Sequence, residues 1–170
     1  MVLSGAFLAL GLVLPFFTGQ IPQIGNMLLP MHIPVMICGY ICGGVYGFGI
    51  GLILPILRFF LFGMPQMPMA ITMAVELAVY GAVTGFLYRK IKGKGKVYIS
   101  LIASMVAGRL AWGGACVLIY GLNHMQFTLQ IFMAGAILNA IPGIILQLVM
   151  VPALVTTLEK VGAINEYEYC

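Results

Sequence analysis

Long apolar runs separated by short breaks dominate the chain. Several runs approach the about 20 residues that a helix needs to cross the hydrocarbon core of a bilayer, and the breaks are rich in Gly, Pro, amide or basic side chains. The pattern predicts an all-α polytopic membrane protein, with one six-helix domain over residues 1–170. The predicted spans are Val2–Phe17, Met31–Gly44, Phe48–Phe62, Met69–Tyr88, Val97–Tyr120 and Phe127–Leu158.

The connections between spans carry further expectations. A tight turn is predicted at Val45–Gly47, between the second and third spans. The sixth run is longer than a span requires and contains Pro142 and Pro152, so it is expected to tilt, kink or continue into the cytoplasm. The sequence shows no internal repeat, which disfavours one half of an inverted-repeat transporter.

The composition indicates a membrane protein. Of 170 residues, 62% are hydrophobic and 7% are charged, whereas a soluble domain has roughly 25% charged residues. The chain therefore lacks the polar side chains that coat a soluble globule. This excludes a soluble enzyme, a disordered chain and a nucleic-acid-binding domain.

The basic residues are concentrated in one loop. Five of the eight lie within Arg89–Lys96, so the net charge of +4 does not indicate a nucleic-acid surface. The positive-inside rule places residues 89–96 in the cytoplasm. Counting spans from this loop puts the N-terminus and the tail at residues 159–170 on the same side, and the three Pro- and Gly-rich loops outside.

Three charged residues remain inside the predicted spans, namely Arg58, Glu76 and Arg109. A charge there costs at least about 2.5–3.5 kcal/mol on insertion scales. At a rise of about 1.5 Å per residue, all three fall near the midplane or in the outer half of the membrane. Their shared depth predicts one polar site below the outer loops.

Polar and aromatic neighbours extend this site. Thr72, Glu76 and Tyr80 have i, i+4, i+8 spacing and share a helix face, and Trp112 lies one turn outward from Arg109. Such a set suits a small polar organic molecule. The predicted substrate-binding residues are Arg58, Glu76, Tyr80, Arg109, Trp112, Asn139, His32 and Asn26.

A structural role is the alternative for these charges. Glu76 could pair with Arg58 or Arg109 and hold the helices together, but two cations then share one anion. The leftover positive charge needs a partner. A substrate carboxylate or phosphate, a backbone carbonyl and water are the candidates.

The sequence has few other residues that could form a metal site, a nucleotide-binding loop or a catalytic site. His32 is expected at the membrane interface rather than on a metal, and the four cysteines lack a matching Cys/His pair at ligand spacing. The segment Gly93–Lys96 lacks the spacing and the Ser/Thr of a phosphate-binding loop. No metal, no cofactor and no ATPase or other enzymatic activity is therefore predicted.

The first span has a face of small residues. Ser4, Gly5, Ala6 and Ala9 crowd one side of the helix, and Gly5 and Ala9 form a small-xxx-small pair. In lipid, such a face lets another helix approach closely. It could dock a partner subunit or pack inside the bundle.

Most of residues 1–90 resemble a known family. The resemblance lies in three segments: QIPQIGNMLLPMHIPVMICG, GVYGFGIGLILPILRFFLFGMPQMP and AITMAVELAVYGAVTGFLYRK. Their order is similar to that in the substrate-binding membrane subunits (S components) of energy-coupling factor (ECF) vitamin importers. The resemblance implies six helices, both termini in the cytoplasm, and one vitamin or precursor bound under the outer loops.

The resemblance also implies partners and a location. S components dock on a membrane scaffold subunit with two ATPase subunits in the bacterial cell membrane. Their docking face on the first helix maps onto Ala6 and Ala9, with Gly5 beside them. ATP hydrolysis then belongs to the partners. Two intramembrane arginines favour an anionic vitamin such as pantothenate.

Two other function classes remain open. A small oligomeric channel or a structural membrane subunit would use Arg–Glu pairs to join helices, and a channel would conduct without any ATPase. A membrane enzyme would use Glu76 as an acid or base, with Tyr80 or a loop histidine as its second group. A stoichiometric bound vitamin distinguishes an S component from both.

We expect Lys94→Cys to react with an impermeant thiol reagent only from the cytoplasmic side, and Gln66→Cys only from outside. The clustering of positive charge in Arg89–Lys96 is the reason. Labelling in intact cells and in inverted vesicles measures both variants. Labelling of Lys94→Cys in intact cells would overturn the topology.

Overall fold

The computed structural model describes residues 2–18, 29–93, 95–122, 140–162 and 164. This part of the chain forms six α-helices and one 3-10 helix, Leu14–Thr18, which continues the first of them. The α-helices are α1 (Val2–Val13), α2 (His32–Cys42), α3 (Gly44–Phe62), α4 (Met67–Lys90), α5 (Lys96–Leu122) and α6 (Ile141–Lys160).

The predicted all-helical class is confirmed. Within the described ranges, the four helices α3 to α6 are long and apolar enough to cross a membrane, whereas α1 and α2 are shorter apolar helices. The 11 residues of α2 span about 16 Å at 1.5 Å per residue, which is about half the thickness of the hydrocarbon core. The number of six complete spans stays a prediction.

The predicted turn at Val45–Gly47 is wrong. Helix α3 already begins at Gly44, and the break after α2 is the single residue Gly43, with φ 100°. Glycine alone adopts such a backbone angle without strain, and the amide of Gly43 donates a hydrogen bond of 3.1 Å to the carbonyl of Gly39. One residue therefore ends α2, where the sequence pattern suggested three.

Other boundaries also shift. Arg89 and Lys90 form the last turn of α4, where positive charge complements the helix dipole, and Lys96 begins α5, so the basic loop itself is shorter than predicted. Pro142 lies in the first turn of α6, where proline removes no helical hydrogen bond. Pro152 lies inside α6. The first part of the predicted sixth span, residues 127–139, lies outside the described residues.

Glycines bring three helices into near backbone contact. A Cβ atom at Gly47 of α3 would stand 2.6 Å from the carbonyl oxygen of Gly81 of α4, and one at Gly81 would overlap the backbone of Gly47. A Cβ at Gly39 of α2 would also stand 2.6 Å from the Gly81 oxygen. Gly85 meets the backbone of Gly44 in the same way. Helix α4 is thereby held at the centre, against both α2 and α3.

A group of polar side chains joins the helices at one end of the bundle. The hydroxyl of Tyr40 donates to the carbonyl of Val97 at 3.1 Å and lies 3.0 Å from the Ser100 hydroxyl. Its ring meets that of Tyr88 edge-on at 5.1 Å. Tyr88 donates to Glu159, whose carboxylate lies 3.1 Å from Lys96 Nζ.

We name this group the end cluster, consisting of Tyr40, Tyr88, Lys96, Ser100 and Glu159. It links α2, α4, α5 and α6. It also places the basic loop and the C-terminal end of α6 at the same end of the bundle, as the predicted topology requires.

We expect Gly47→Ala to destabilise the protein and Gly49→Ala to leave its stability unchanged or slightly higher. The new methyl group at residue 47 would press on the backbone of α4, at a cost of about 1–3 kcal/mol. Gly49, in the same helix, has no atom within 4 Å of its added Cβ. Thermal unfolding in detergent measures both. Equal melting temperatures of the two variants would contradict the packing.

Candidate functional site

Glu76 is the centre of a buried polar group. It lies on α4 with 2% of its side chain exposed, and its Oε1 atom is 3.0 Å from Arg109 Nη1 of α5. His32 Nε2, at the start of α2, lies 3.5 Å from the same oxygen. Three helices thus place an anion, a cation and an imidazole together in an apolar bundle, where water does not screen them.

Tyr80 lies one turn along α4 from Glu76. Its ring meets the His32 ring edge-on at 5.0 Å and packs directly on Gly108 of α5, where a Cβ would overlap it. Its hydroxyl faces the Arg109 guanidinium without reaching hydrogen-bond geometry. Thr72, Glu76 and Tyr80 are all buried, so the predicted shared face of α4 is confirmed.

Several buried polar atoms of this group have no hydrogen-bond partner among the described residues. A buried polar atom without a partner is unfavourable in an apolar interior. Glu76 Oε1 has a charged neighbour at ion-pair distance, but not in hydrogen-bond geometry. The atoms are both ring nitrogens of His32, Glu76 Oε1, the Tyr80 hydroxyl, Nε and Nη2 of Arg109, and both amide atoms of Gln147.

Arg58 lies elsewhere. Its Nη1 donates a hydrogen bond of 3.0 Å to the carbonyl of Leu12, in the last turn of α1. Its guanidinium lies 5.6 Å from the ring centroids of both Phe16 and Phe62. The structure describes no ion pair between Arg58 and Glu76. Arg58 therefore caps α1 and binds aromatic faces, and the described contacts do not bring it into the Glu76 group.

The remaining predicted residues divide into three cases. His32 was expected at the interface, but the structure buries it completely, with 0% exposed, because Tyr80 and Glu76 cover it. Trp112 is half-buried on α5, one turn from Arg109. Asn26 and Asn139 lie outside the described residues.

Gln147 was missed by sequence reasoning. It lies on α6 with 0% of its side chain exposed. A signal was present, because Gln147, Val151 and Val155 have i, i+4, i+8 spacing and the two valines are also fully buried. An amide on the buried stripe of an apolar helix is a candidate binding residue.

The small-residue face of α1 lies on the outside of the bundle. Gly5, Ala6 and Ala9 are all exposed, and Gly5 has no atom within 4 Å of an added Cβ. Ser4 was predicted on this face, but it is buried, as is Gly11, which packs on Leu54 of α3. Of the two predicted uses of this face, packing inside the bundle is thus wrong for the described residues.

A family comparison identifies the class of this membrane protein. The family model described as ECF transporter, substrate-specific component, matches residues 1–155. The chain belongs to this family and is therefore a substrate-binding membrane subunit, as its resemblance predicted. Neither the curated proteins nor the solved structures include a significant match to the chain.

We expect Arg109→Ala to weaken binding of the protein's small-molecule substrate at least about tenfold, since removing a buried charge partner costs about 2–5 kcal/mol, while the protein still inserts and purifies. Arg58→Ala is the comparison. It should lower the melting temperature, because α1 loses its cap, and change affinity little.

Affinity for the substrate, measured on detergent-purified protein, and thermal unfolding separate the two arginines. Normal binding by Arg109→Ala would remove Arg109 from the site. Failure of Arg109→Ala to fold would favour a structural role for its pair with Glu76.

Proposed function

We propose that this protein is the substrate-binding subunit of an ECF-type ABC importer for a vitamin or a vitamin precursor. The observation that carries the proposal is the set of buried polar atoms that have no partner among the described residues of an apolar bundle. Polar groups in a membrane interior are expensive and are retained for function. A ligand that bonds to these atoms relieves that cost.

The ligand is proposed to be anionic, with pantothenate as the example. Arg109 is the cation that supports an anionic ligand. Arg58 was the second cation in the sequence argument, but it is held by the Leu12 carbonyl and two aromatic rings. Arg109 keeps two guanidinium nitrogens without partners among the described residues, so it can still bind an acid.

The protein is proposed to work with separate subunits. A membrane scaffold subunit would dock on the exposed face formed by Gly5, Ala6 and Ala9, and two ATPase subunits would supply the energy. This protein itself would hydrolyse no ATP, and it would reside in the bacterial cell membrane with both termini in the cytoplasm. The family assignment supports this division of labour.

A structural subunit or channel is the competing function. Its helices would be joined by the Glu76–Arg109 ion pair. An ion pair that only joins helices does not require unpartnered polar atoms around it. In the part of the chain that the structure describes, four such atoms lie on His32 and Arg109. The geometry therefore favours binding.

We expect Ala9→Trp to keep ligand binding in detergent and to abolish ATP-dependent uptake. The indole would prevent close approach of a partner helix at the exposed α1 face, while the Glu76 group lies on other helices. Mass spectrometry of the small molecule released from denatured protein measures binding. Uptake is measured in cells that also express the scaffold and ATPase subunits.

The matched control is Ala153→Trp, on an exposed position of α6 outside the proposed docking face. It should keep both binding and uptake. Uptake by Ala9→Trp at the normal rate would remove the docking face. Wild-type protein that releases no vitamin or precursor, or conducts without ATPases, would overturn the importer function itself.

A further inference from the structure

Gln147 is the buried polar residue that the proposed function does not yet use. Its side chain is 0% exposed, and neither its amide nitrogen nor its amide oxygen has a hydrogen-bond partner among the described residues. An amide buried in this way loses its bonds to water without replacing them. The chain retains it on a helix where Leu or Val would fit the pattern.

Gln147 lies at the same height in the bundle as Glu76 and Arg109. The end cluster gives a common reference, since Tyr88, Lys96 and Glu159 contact one another. From there, Glu76 lies about 18 Å along α4, and Arg109 about 20 Å along α5, at 1.5 Å per residue. Gln147 lies about 18 Å from Glu159 along α6 by the same rise.

Gln147 also lies on the correct side of its helix. Val151 and Val155, which continue its face, belong to the hydrophobic cluster that contains Tyr80 and Met36. Helix α6 packs against α2 and α5. Those are the two helices whose His32 and Gly108 enclose the Tyr80 ring. The face of α6 that carries Gln147 therefore packs towards α2 and α5, the helices that carry His32 and Arg109.

The guanidinium of Arg109 has two hydrogen-bond donors on one of its edges. Its Nη1 is 3.0 Å from Glu76, while Nε and Nη2 have no hydrogen-bond partner within the described ranges. Nε and Nη2 lie on one edge of the planar guanidinium, and their N–H bonds are parallel. This edge matches the two oxygens of a carboxylate, which accept two hydrogen bonds at once.

We infer that Arg109, through Nε and Nη2, and the side-chain amide of Gln147 bind two different groups of the same substrate. This substrate is a small carboxylic acid that also carries a hydroxyl or amide group. The acid accepts from Nε and Nη2 of Arg109. Its neutral polar group exchanges hydrogen bonds with Gln147, whose amide both donates and accepts. The inference rests on the proposed function and adds its substrate class.

Glu76 is a positioning residue in this arrangement. Its carboxylate, 3.0 Å from Nη1, attracts one side of the guanidinium and leaves the Nε and Nη2 edge for the substrate. The group then holds Arg109 as a cation, with Glu76 and the substrate as two anions. His32 Nε2 lies 3.5 Å from the same carboxylate.

Gln147→Leu tests the new residue with two readouts. A ligand-binding Gln147 predicts that affinity for the acid falls about fivefold or more, as for a lost hydrogen bond. It also predicts that the melting temperature without ligand stays the same or rises, because an unpaired buried amide is replaced by an apolar side chain of similar size. Thr156→Val is the control on the same helix, since its hydroxyl already donates to Pro152 O at 2.7 Å.

The substrate class is tested on the full-length detergent-purified protein by thermal shift. The probes are pantothenate, biotin and folate, which carry a carboxylate together with an amide or ureido group, with pantothenol as the neutral counterpart of the first. We expect an acid to raise the melting temperature, and its neutral counterpart to have no effect. Arg109→Lys should weaken binding of that acid about tenfold or more, because an ammonium cannot form the two-bond contact.

Three results would overturn the inference. They are tighter binding of a neutral compound than of every acid, unchanged acid affinity in Gln147→Leu, and a lower ligand-free melting temperature in that variant. Each is distinct from failure of the proposed function. A wild-type protein that binds a neutral vitamin and supports its ATP-dependent uptake remains an importer subunit with a different substrate class.

Discussion

The near contact between the backbones of α4, α2 and α3 is the constraint on which the site depends. Gly39, Gly47 and Gly81 permit it, since a Cβ at any of them would meet a neighbouring main chain. In lipid there is no hydrophobic driving force between apolar helices, so close van der Waals packing has to stabilise their association. With its glycine face filled in this way, α4 directs Glu76 and Tyr80 towards α5 and the start of α2. The polar site is thus a consequence of the packing.

The two arginines inside the predicted spans, Arg58 and Arg109, differ in how the protein satisfies their guanidinium groups. Arg58 is bound by the Leu12 carbonyl and lies over two aromatic rings, so it completes the end of α1. Arg109 is held by Glu76 through one nitrogen and keeps an unpartnered edge among the described residues. This difference is the reason why Arg109, and not Arg58, is the arginine proposed to bind the substrate.

The two ends of the bundle differ in how their polar groups are satisfied. In the end cluster, Tyr40, Tyr88 and Glu159 are bonded to one another or to neighbouring residues. About 12 Å from Tyr88 along α4, Tyr80 and the neighbouring His32 have polar atoms without partners in the described part of the chain. At one end the polar groups thus bond to each other, whereas at the other end described polar atoms are left for a substrate to bond. This asymmetry agrees with a subunit that receives its substrate at one side.

The sequence by itself determined the all-helical membrane class, the family and the buried face of Thr72, Glu76 and Tyr80. These follow from composition, apolar run length and helical spacing, which are local properties of the chain. Only the tertiary structure decided that Arg109 pairs with Glu76 and that Arg58 does not. It also showed that His32 is fully buried and that Gln147 is another fully buried polar side chain. Depth along a helix can be counted from sequence, but the direction of a side chain around the bundle depends on which helices pack together, and glycine contacts between distant segments set that arrangement.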